Sequence, residues 1–148
     1  MVRLPPPVWG FIFLVVFSCL SALLPWRAVI DLRSIPVGVV LVFAGLGLMF
    51  SALSLFRAEG TELNPTSETN KALVVRGPYR FTRNPMYLGL VVLTLGIAIL
   101  VGSLPMFAVP LLLFATSNWV HIPFEEAKMQ RQFGQAFDTY THNVRRWL

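Results

Sequence analysis

Long uncharged hydrophobic runs separated by short polar segments dominate the pattern of this chain. Residues 8–24 and 35–56 contain no charged side chain. Because a helix rises about 1.5 Å per residue, each run is long enough, or nearly so, to cross about 30 Å of hydrocarbon. Residues 84–120 also lack Asp, Glu, Lys and Arg. As one helix they would extend roughly 55 Å, so this run should fold back on itself.

Turn-forming residues in the middle of the last run mark the position of the fold-back. Gly102 and Ser103 are followed by Pro105, a combination that ends helices. The first run follows Arg3, as in a signal peptide, but it is long and lacks a small-residue cleavage site, so we expect a span. The pattern predicts an all-α, polytopic membrane bundle in a single domain, residues 1–148. Its four spans lie at about 8–24, 35–56, 86–101 and 104–120.

Small residues are concentrated in the second run. Gly47 and Ser51 have the four-residue spacing that lets two membrane helices approach closely. We expect this pair to face a neighbouring helix of the bundle. A seam between two copies of the chain is the alternative, and the sequence leaves the oligomeric state open.

A helical stripe follows the fourth run. Apolar and aromatic residues recur there every three or four positions, while charged and polar residues occupy the other faces. The stripe consists of Met129, Phe133, Phe137, Tyr140 and Val144. It predicts an amphipathic helix over 123–144, starting at Pro123, on the membrane surface or over the polar loop 57–85.

Composition and charge exclude several classes of protein. Hydrophobic residues make up 55% of the chain and charged residues 13%, whereas about a quarter of an average globular domain is charged. Ten of the twelve Lys and Arg residues fall at the N-terminus, in loop 57–85 or in the tail, so these parts should be cytoplasmic. The net charge of +5 suits anionic lipid headgroups, and no nucleic-acid motif accompanies it. Cys19 is the only cysteine, which excludes an intramolecular disulfide and a thiolate metal site.

The segment from Gly77 to Gly89 combines turn formers, cations and aromatics at the edge of the third span. Pro78 and Pro85 fix two φ angles and remove two backbone donors. Between and beside them lie two arginines and two tyrosines, Arg80, Arg83, Tyr79 and Tyr87. Alone, these could be positive-inside anchors and interface-belt aromatics. Packed together, they predict a polar, aromatic-walled cavity where a water-soluble cofactor meets a lipid-soluble substrate.

A second polar cluster stands at the same membrane face. His121, Glu125 and Glu126 follow the fourth run, and His121 and Glu125 form an i, i+4 pair if the helix continues through Pro123, where a kink is expected. Ionisable groups at this depth are costly and are usually paired or functional. One of the two glutamates could simply complement a helix N-terminus. The spacing matches no known metal-ligand pattern, so we expect no metal.

Several short motifs, taken together, resemble a known family. They are Leu73-Val74 with Gly77-x-Tyr79, Arg83-Asn84-Pro85-Met86-Tyr87-x-Gly89, Glu125-Glu126, Phe133-Gly134-x-x-Phe137-x-x-Tyr140 and the terminal Val144-Arg145-Arg146-Trp147-Leu148. In this order, over roughly residues 71–148, the chain is similar to the isoprenylcysteine carboxyl methyltransferases and their relatives, the phospholipid methyltransferases. The first two spans carry no family signature.

The resemblance implies an enzyme that binds S-adenosylmethionine and methylates a lipid-soluble acceptor. It places the cofactor contacts at Lys71, Ala72, Leu73, Val74, Tyr79, Asn84, Pro85, Met86, Tyr87 and Glu125. Arg83 and His121 would be the catalytic residues, with His121 also binding the substrate. Membrane lipids and a lipophilic small molecule are the implied partners.

Two departures from the family pattern concern the acceptor. His121 stands where a substrate-binding Arg is usual, and Asn84 replaces the His of the usual Arg-His-Pro-x-Tyr motif. Arg would orient a carboxylate by two hydrogen bonds, whereas His can do so only when protonated. Carboxyl O-methylation of an isoprenylcysteine-like substrate is the first hypothesis, and phospholipid N-methylation is the alternative. A non-catalytic membrane subunit with the same fold is a third hypothesis.

Overall fold

The protein is a bundle of α-helices. The computed structural model describes residues 5–23, 32–58 and 72–148, and within these ranges it contains helices and no strand. Lys71 and most of the polar part of loop 57–85 lie outside the described residues. The helices are α1 (Pro6–Leu23), α2 (Ile35–Ala58), α3 (Pro85–Val101), α4 (Ala108–Thr116), α5 (Ile122–Phe133) and α6 (Gln135–Asn143).

Three helical stretches of the described chain are long and apolar enough to cross a membrane. They are Pro6–Leu23, Ile35–Ala58 and the 30-residue stretch Leu104–Phe133, and Pro85–Val101 is a shorter apolar helix. The all-helical membrane class predicted from the sequence is thereby confirmed. The fold-back is also found where the turn residues indicate: α3 ends at Val101, Gly102 is left-handed (φ 71°), and a 3-10 turn over Leu104–Phe107 leads into α4.

The helices after the fold-back differ from the sequence prediction at two places, before Pro123 and at Gly134. Helix α4 does not stop before Pro123 but continues through a π-turn, Ser117–His121, into α5. The N–H of Ile122 bonds to the carbonyl of Ser117, five residues earlier, and this wider turn lies directly before the proline that cannot donate. The predicted helix 123–144 is divided at Gly134 (φ 48°), where α5 ends and α6 begins.

Glycines bring α2 and α3 into close contact. A Cβ atom added at Gly45 would lie 2.6 Å from the carbonyl oxygen of Gly89, and one added at Gly96 would lie 2.8 Å from that of Gly38. The prediction that Gly47 and Ser51 face a neighbouring helix is wrong. Gly47 has open space around it, and Ser51 is exposed. Close approach in this bundle therefore depends on Gly38 and Gly45, one heptad apart.

Helix α1 is packed against the rest of the bundle. Its aromatic and aliphatic side chains cover a buried cluster formed by Leu90, Val109 and Leu113. The covering residues of α1 are Trp9, Phe13, Leu14 and Phe17. This packing sets the start of α1 beside the beginning of α3, where the cavity described below is found.

Candidate active site

A cavity of about 440 Å³ lies among the start of α1, the second half of α2, the segment 72–87 and helices α5 and α6. Nine of the ten predicted cofactor residues line it, and the tenth, Lys71, is outside the described part of the chain. The nine are Ala72, Leu73, Val74, Tyr79, Asn84, Pro85, Met86, Tyr87 and Glu125. Arg83 lines the cavity as well. The volume is within the usual range for small-molecule sites, about 300–1,000 Å³.

A short turn holds the segment before α3 against α2. Gly77 is left-handed (φ 58°) and is followed by a 3-10 turn, Gly77–Arg80, with proline near its start. The turn buries Tyr79, whose ring lies 5.4 Å from that of Phe56 on α2, centre to centre. Burial raises the pKa of Tyr79, so its hydroxyl stays protonated at the cavity wall. Pro85 then starts α3 at the position where a missing N–H costs nothing.

Tyr140 of α6 ties the C-terminal helix to this turn. Its hydroxyl donates a buried 2.7 Å hydrogen bond to the backbone carbonyl of Tyr79. Burial raises the pKa of Tyr140 to about 12, so the hydroxyl remains a donor at neutral pH. This single bond joins residues 61 positions apart along the chain.

We expect Tyr140→Phe to lower the free energy of unfolding by about 1–2 kcal/mol, because it leaves the buried Tyr79 carbonyl without its partner. Chemical unfolding of the detergent-solubilised protein measures this loss. Thr139→Ala on the same helix is the control. Its hydroxyl donates to the carbonyl of Gln135 within α6, at an exposed position, and the change should stay within about 0.5 kcal/mol. Equal stability of the two variants would contradict the expectation.

Tyr87 lies between the two members of the predicted i, i+4 pair. Its hydroxyl donates to Oε1 of Glu125 at 2.5 Å, and its ring stacks on His121 with centres 6.4 Å apart and planes 22° apart. Glu125 is half-buried and lines the cavity, whereas His121 is buried and is not among the lining residues. The structure thus brings the three residues together but places His121 behind Tyr87.

Arg83 and Glu126 form an ion pair at the cavity wall. Nη2 of Arg83 lies 3.0 Å from Oε1 of Glu126, and Arg146 contacts both oxygens of the same carboxylate. The side chain of Arg83 is 14% exposed, and its Nε is buried without a hydrogen-bond partner in the described part of the protein. Arg83 therefore retains unused donor capacity beside the cavity. Glu126 acts as the counter-ion of two arginines rather than only as a first-turn helix residue.

Asn84 has a structural bond in addition to its place on the wall. Its side-chain amide donates to the backbone carbonyl of Arg146 at 3.0 Å, and its own N–H bonds to Oγ1 of Thr82 at 3.2 Å. The amide fits where the family usually has histidine because it can donate one hydrogen bond without titrating. The cofactor contact that the resemblance implies for Asn84 would therefore use its amide oxygen, since the amide nitrogen already donates to Arg146.

Sequence reasoning missed a large part of the apolar wall of the cavity. Most of the missed residues come from the first described residues and from the second half of α2, segments without a recognisable motif. From these two segments come Pro5, Pro6, Pro7, Met49, Leu53 and Phe56. In the sequence, Met49, Leu53 and Phe56 look like ordinary span residues and the three prolines only precede a span, so no signal pointed to them. Their contribution gives the cavity an apolar side next to its polar groups.

The donor and acceptor groups of the cavity suit an organic cation that also carries an acid group. No group of three potential His, Cys, Asp or Glu ligands occurs in the described ranges. A carboxylate that is already oriented by a tyrosine can accept from an ammonium, and an arginine with spare donors can hold an acid group. S-adenosylmethionine carries both an ammonium and a carboxylate, so the residues present fit this cofactor.

Comparison with known proteins gives one match. The phospholipid methyltransferase family matches residues 34–136, which is more than half of the chain. Neither curated proteins nor solved structures give a significant match. The matched region contains α2, α3 and the cavity residues from α5. The chain therefore belongs to the phospholipid methyltransferase family and is a membrane methyltransferase.

Proposed function

We propose that this protein transfers a methyl group from S-adenosylmethionine to a lipid-soluble acceptor in the cavity. The observation that carries the proposal is the composition of the cavity wall. Polar groups of Arg83, Tyr87 and Glu125 share one space with apolar side chains of α2 and the start of α1. Such a space can take a charged cofactor and a lipophilic acceptor together.

The roles of the polar residues follow from their contacts. Glu125 would accept from the ammonium of the cofactor, since the Tyr87 hydroxyl already fixes one of its oxygens. Arg83 would hold the carboxylate of the cofactor, because Glu126 keeps its guanidinium at the wall without using all of its donors. His121 would support the ring of Tyr87 rather than contact the acceptor.

When bound, S-adenosylmethionine supplies an activated methyl group on a sulfonium, which becomes a neutral thioether after transfer. The protein contributes positioning and a water-poor wall. For a carboxylate acceptor, opposite charges are neutralised in the transition state, so exclusion of water by the apolar side chains favours transfer. No covalent bond to the protein is required.

A carboxylate acceptor, as in isoprenylcysteine methylation, is our first proposal for the substrate class. Lys128 lines the cavity and supplies positive charge for an anionic acceptor group. Phospholipid N-methylation is the second candidate, favoured by the matched family. Alkaline treatment of the product separates the two, because a methyl ester is hydrolysed and an N-methyl group is not.

The cofactor test is a titration of the purified protein with S-adenosylmethionine by calorimetry. We expect saturable binding with a Kd below millimolar. If the protein does not bind the cofactor, the proposed methyl transfer is wrong and the hypothesis of a non-catalytic membrane subunit remains. The same titration with sealed vesicles tests orientation. With the cation-rich side in the cytoplasm, we expect binding to inside-out vesicles and not to right-side-out ones.

A further inference from the structure

The C-terminal tail, residues 144–148, returns to the turn that precedes α3. Val144 is extended after the end of α6, and the next two carbonyl groups accept from that turn. The N–H of Arg83 donates to the carbonyl of Arg145 at 3.0 Å. The side chains of Thr82 and Asn84 both donate to the carbonyl of Arg146, at 3.1 and 3.0 Å. Three hydrogen-bond donors of the turn 82–84 are thus satisfied by two backbone carbonyls of the tail.

The side chain of Arg146 makes a second connection to the same wall. Its Nε and Nη2 donate to the two oxygens of Glu126 at 3.2 and 2.5 Å. Glu126 in turn holds Nη2 of Arg83 at 3.0 Å. Arg146 itself does not line the cavity, so it reaches Arg83 only through Glu126.

Trp147 attaches the end of the tail to α4 and to the π-turn that follows it. Its indole N–H donates to Oδ1 of Asn118 at 3.0 Å, within the π-turn that precedes α5. Its ring lies 4.7 Å from that of Phe114 on α4, centre to centre. The tail therefore joins the α3 turn to the helix that carries Glu125 and Glu126, and it does so outside the family match, which ends at residue 136.

We propose that Arg146 is a positioning residue that holds Arg83 and the 82–84 turn in place for cofactor binding, a role that rests on the proposed methyltransferase function. A bidentate arginine fixes both oxygens of a carboxylate in one plane. Without it, Glu126 is free to rotate and to draw Arg83 with it. The backbone carbonyl of residue 146 remains in any substitution, so a side-chain variant tests the ion network alone.

The test compares full-length Arg146→Ala and Arg146→Lys with the wild type in the same detergent. Alanine removes both hydrogen bonds to Glu126, whereas lysine keeps the charge and can form one of them. We therefore expect the Kd for S-adenosylmethionine to rise about tenfold in the alanine variant and about threefold in the lysine variant. Arg131→Ala, an exposed arginine on α5, is the matched control and should bind as the wild type does. If Arg146→Ala does not yield a monodisperse protein, the lysine variant decides.

Two further measurements separate positioning from general stability. The first is a double-mutant cycle of Arg146→Ala and Glu126→Gln. Because Arg146 acts through Glu126, the effects on the Kd for S-adenosylmethionine should not add, and the double variant should bind the cofactor as well as the single variant with the higher Kd. Amide exchange of residues 82–84 should accelerate in Arg146→Ala, because the ion network no longer holds the tail carbonyls beside the turn, while exchange in α3 should not change. Unchanged affinity, full additivity or unchanged exchange would each overturn the proposal. A wild type that fails to bind the cofactor refutes the proposed function instead, and the exchange experiment then still decides whether Arg146 holds the turn.

Discussion

Glu125→Gln is expected to weaken binding of S-adenosylmethionine by about 10- to 100-fold, because a hydrogen bond to a charged group contributes about 1.5–3 kcal/mol and each 1.4 kcal/mol is about a factor of ten. The substitution is isosteric, and the amide oxygen can still accept from the Tyr87 hydroxyl. It therefore removes the negative charge that we propose to contact the cofactor ammonium, and it leaves the hydrogen bond from Tyr87 in place. Methyl transfer at subsaturating cofactor should fall by the same factor.

Calorimetric titration and a labelled-methyl assay measure this effect. Asp138→Asn is the control, since it removes one acidic charge from an exposed site on α6, where Asp138 accepts from Gln130. A Glu125→Gln protein that binds the cofactor as tightly as the Asp138→Asn protein would contradict the role given to Glu125. Equal melting temperatures of the two variants would show that the weaker binding does not come from impaired folding.

Gly45→Ala is expected to destabilise the bundle by about 2–3 kcal/mol, the upper part of the range for overpacking. The new methyl group would lie 2.6 Å from the carbonyl oxygen of Gly89 and from the backbone nitrogen of Leu93. Backbone atoms cannot move aside as side chains can, so α2 and α3 would have to separate. Because Met49 and Leu53 of α2 line the cavity, cofactor affinity should fall too.

Gly47→Ala is the matched control, two residues along the same helix. An added Cβ at Gly47 meets nothing within 4 Å, so stability should be unchanged or rise by up to about 1 kcal/mol from helix propensity. Unfolding in mixed detergent micelles measures both variants. Similar stability of the two alanine variants would mean that the close α2–α3 contact does not hold in the membrane.

The membrane-spanning elements were predictable because each depends on local composition. An uncharged apolar run must avoid water over its whole length, Gly102 ends α3 in a left-handed conformation, and Pro105 stands at the start of the turn that follows. The π-turn and the break at Gly134 were not predictable in the same way. Pro123 and Gly134 each allow a bend, but tertiary contacts decide whether the chain continues or turns.

The polar half of the site was predictable for a related reason. Arginines and tyrosines packed between prolines, together with ionisable groups at the end of the last apolar run, made Arg83, Tyr87 and Glu125 conspicuous in the sequence. His121 was equally conspicuous, yet it stacks behind Tyr87 and does not line the cavity. Sequence periodicity predicts which face of its own helix a side chain occupies. It does not predict whether a residue of another helix, here Tyr87 of α3, stands between that side chain and the cavity.

By itself, the sequence determined that this chain is a helical membrane protein with a polar cluster at one membrane face, because both conclusions follow from the cost of placing given groups in hydrocarbon. Only the tertiary structure decided which apolar residues form the cavity and which arginines are held by Glu126. Those facts depend on helices meeting from distant parts of the chain. Glycine contacts set how closely α2 and α3 approach, and the tail supports the site through backbone carbonyls, whose partners no sequence pattern reveals.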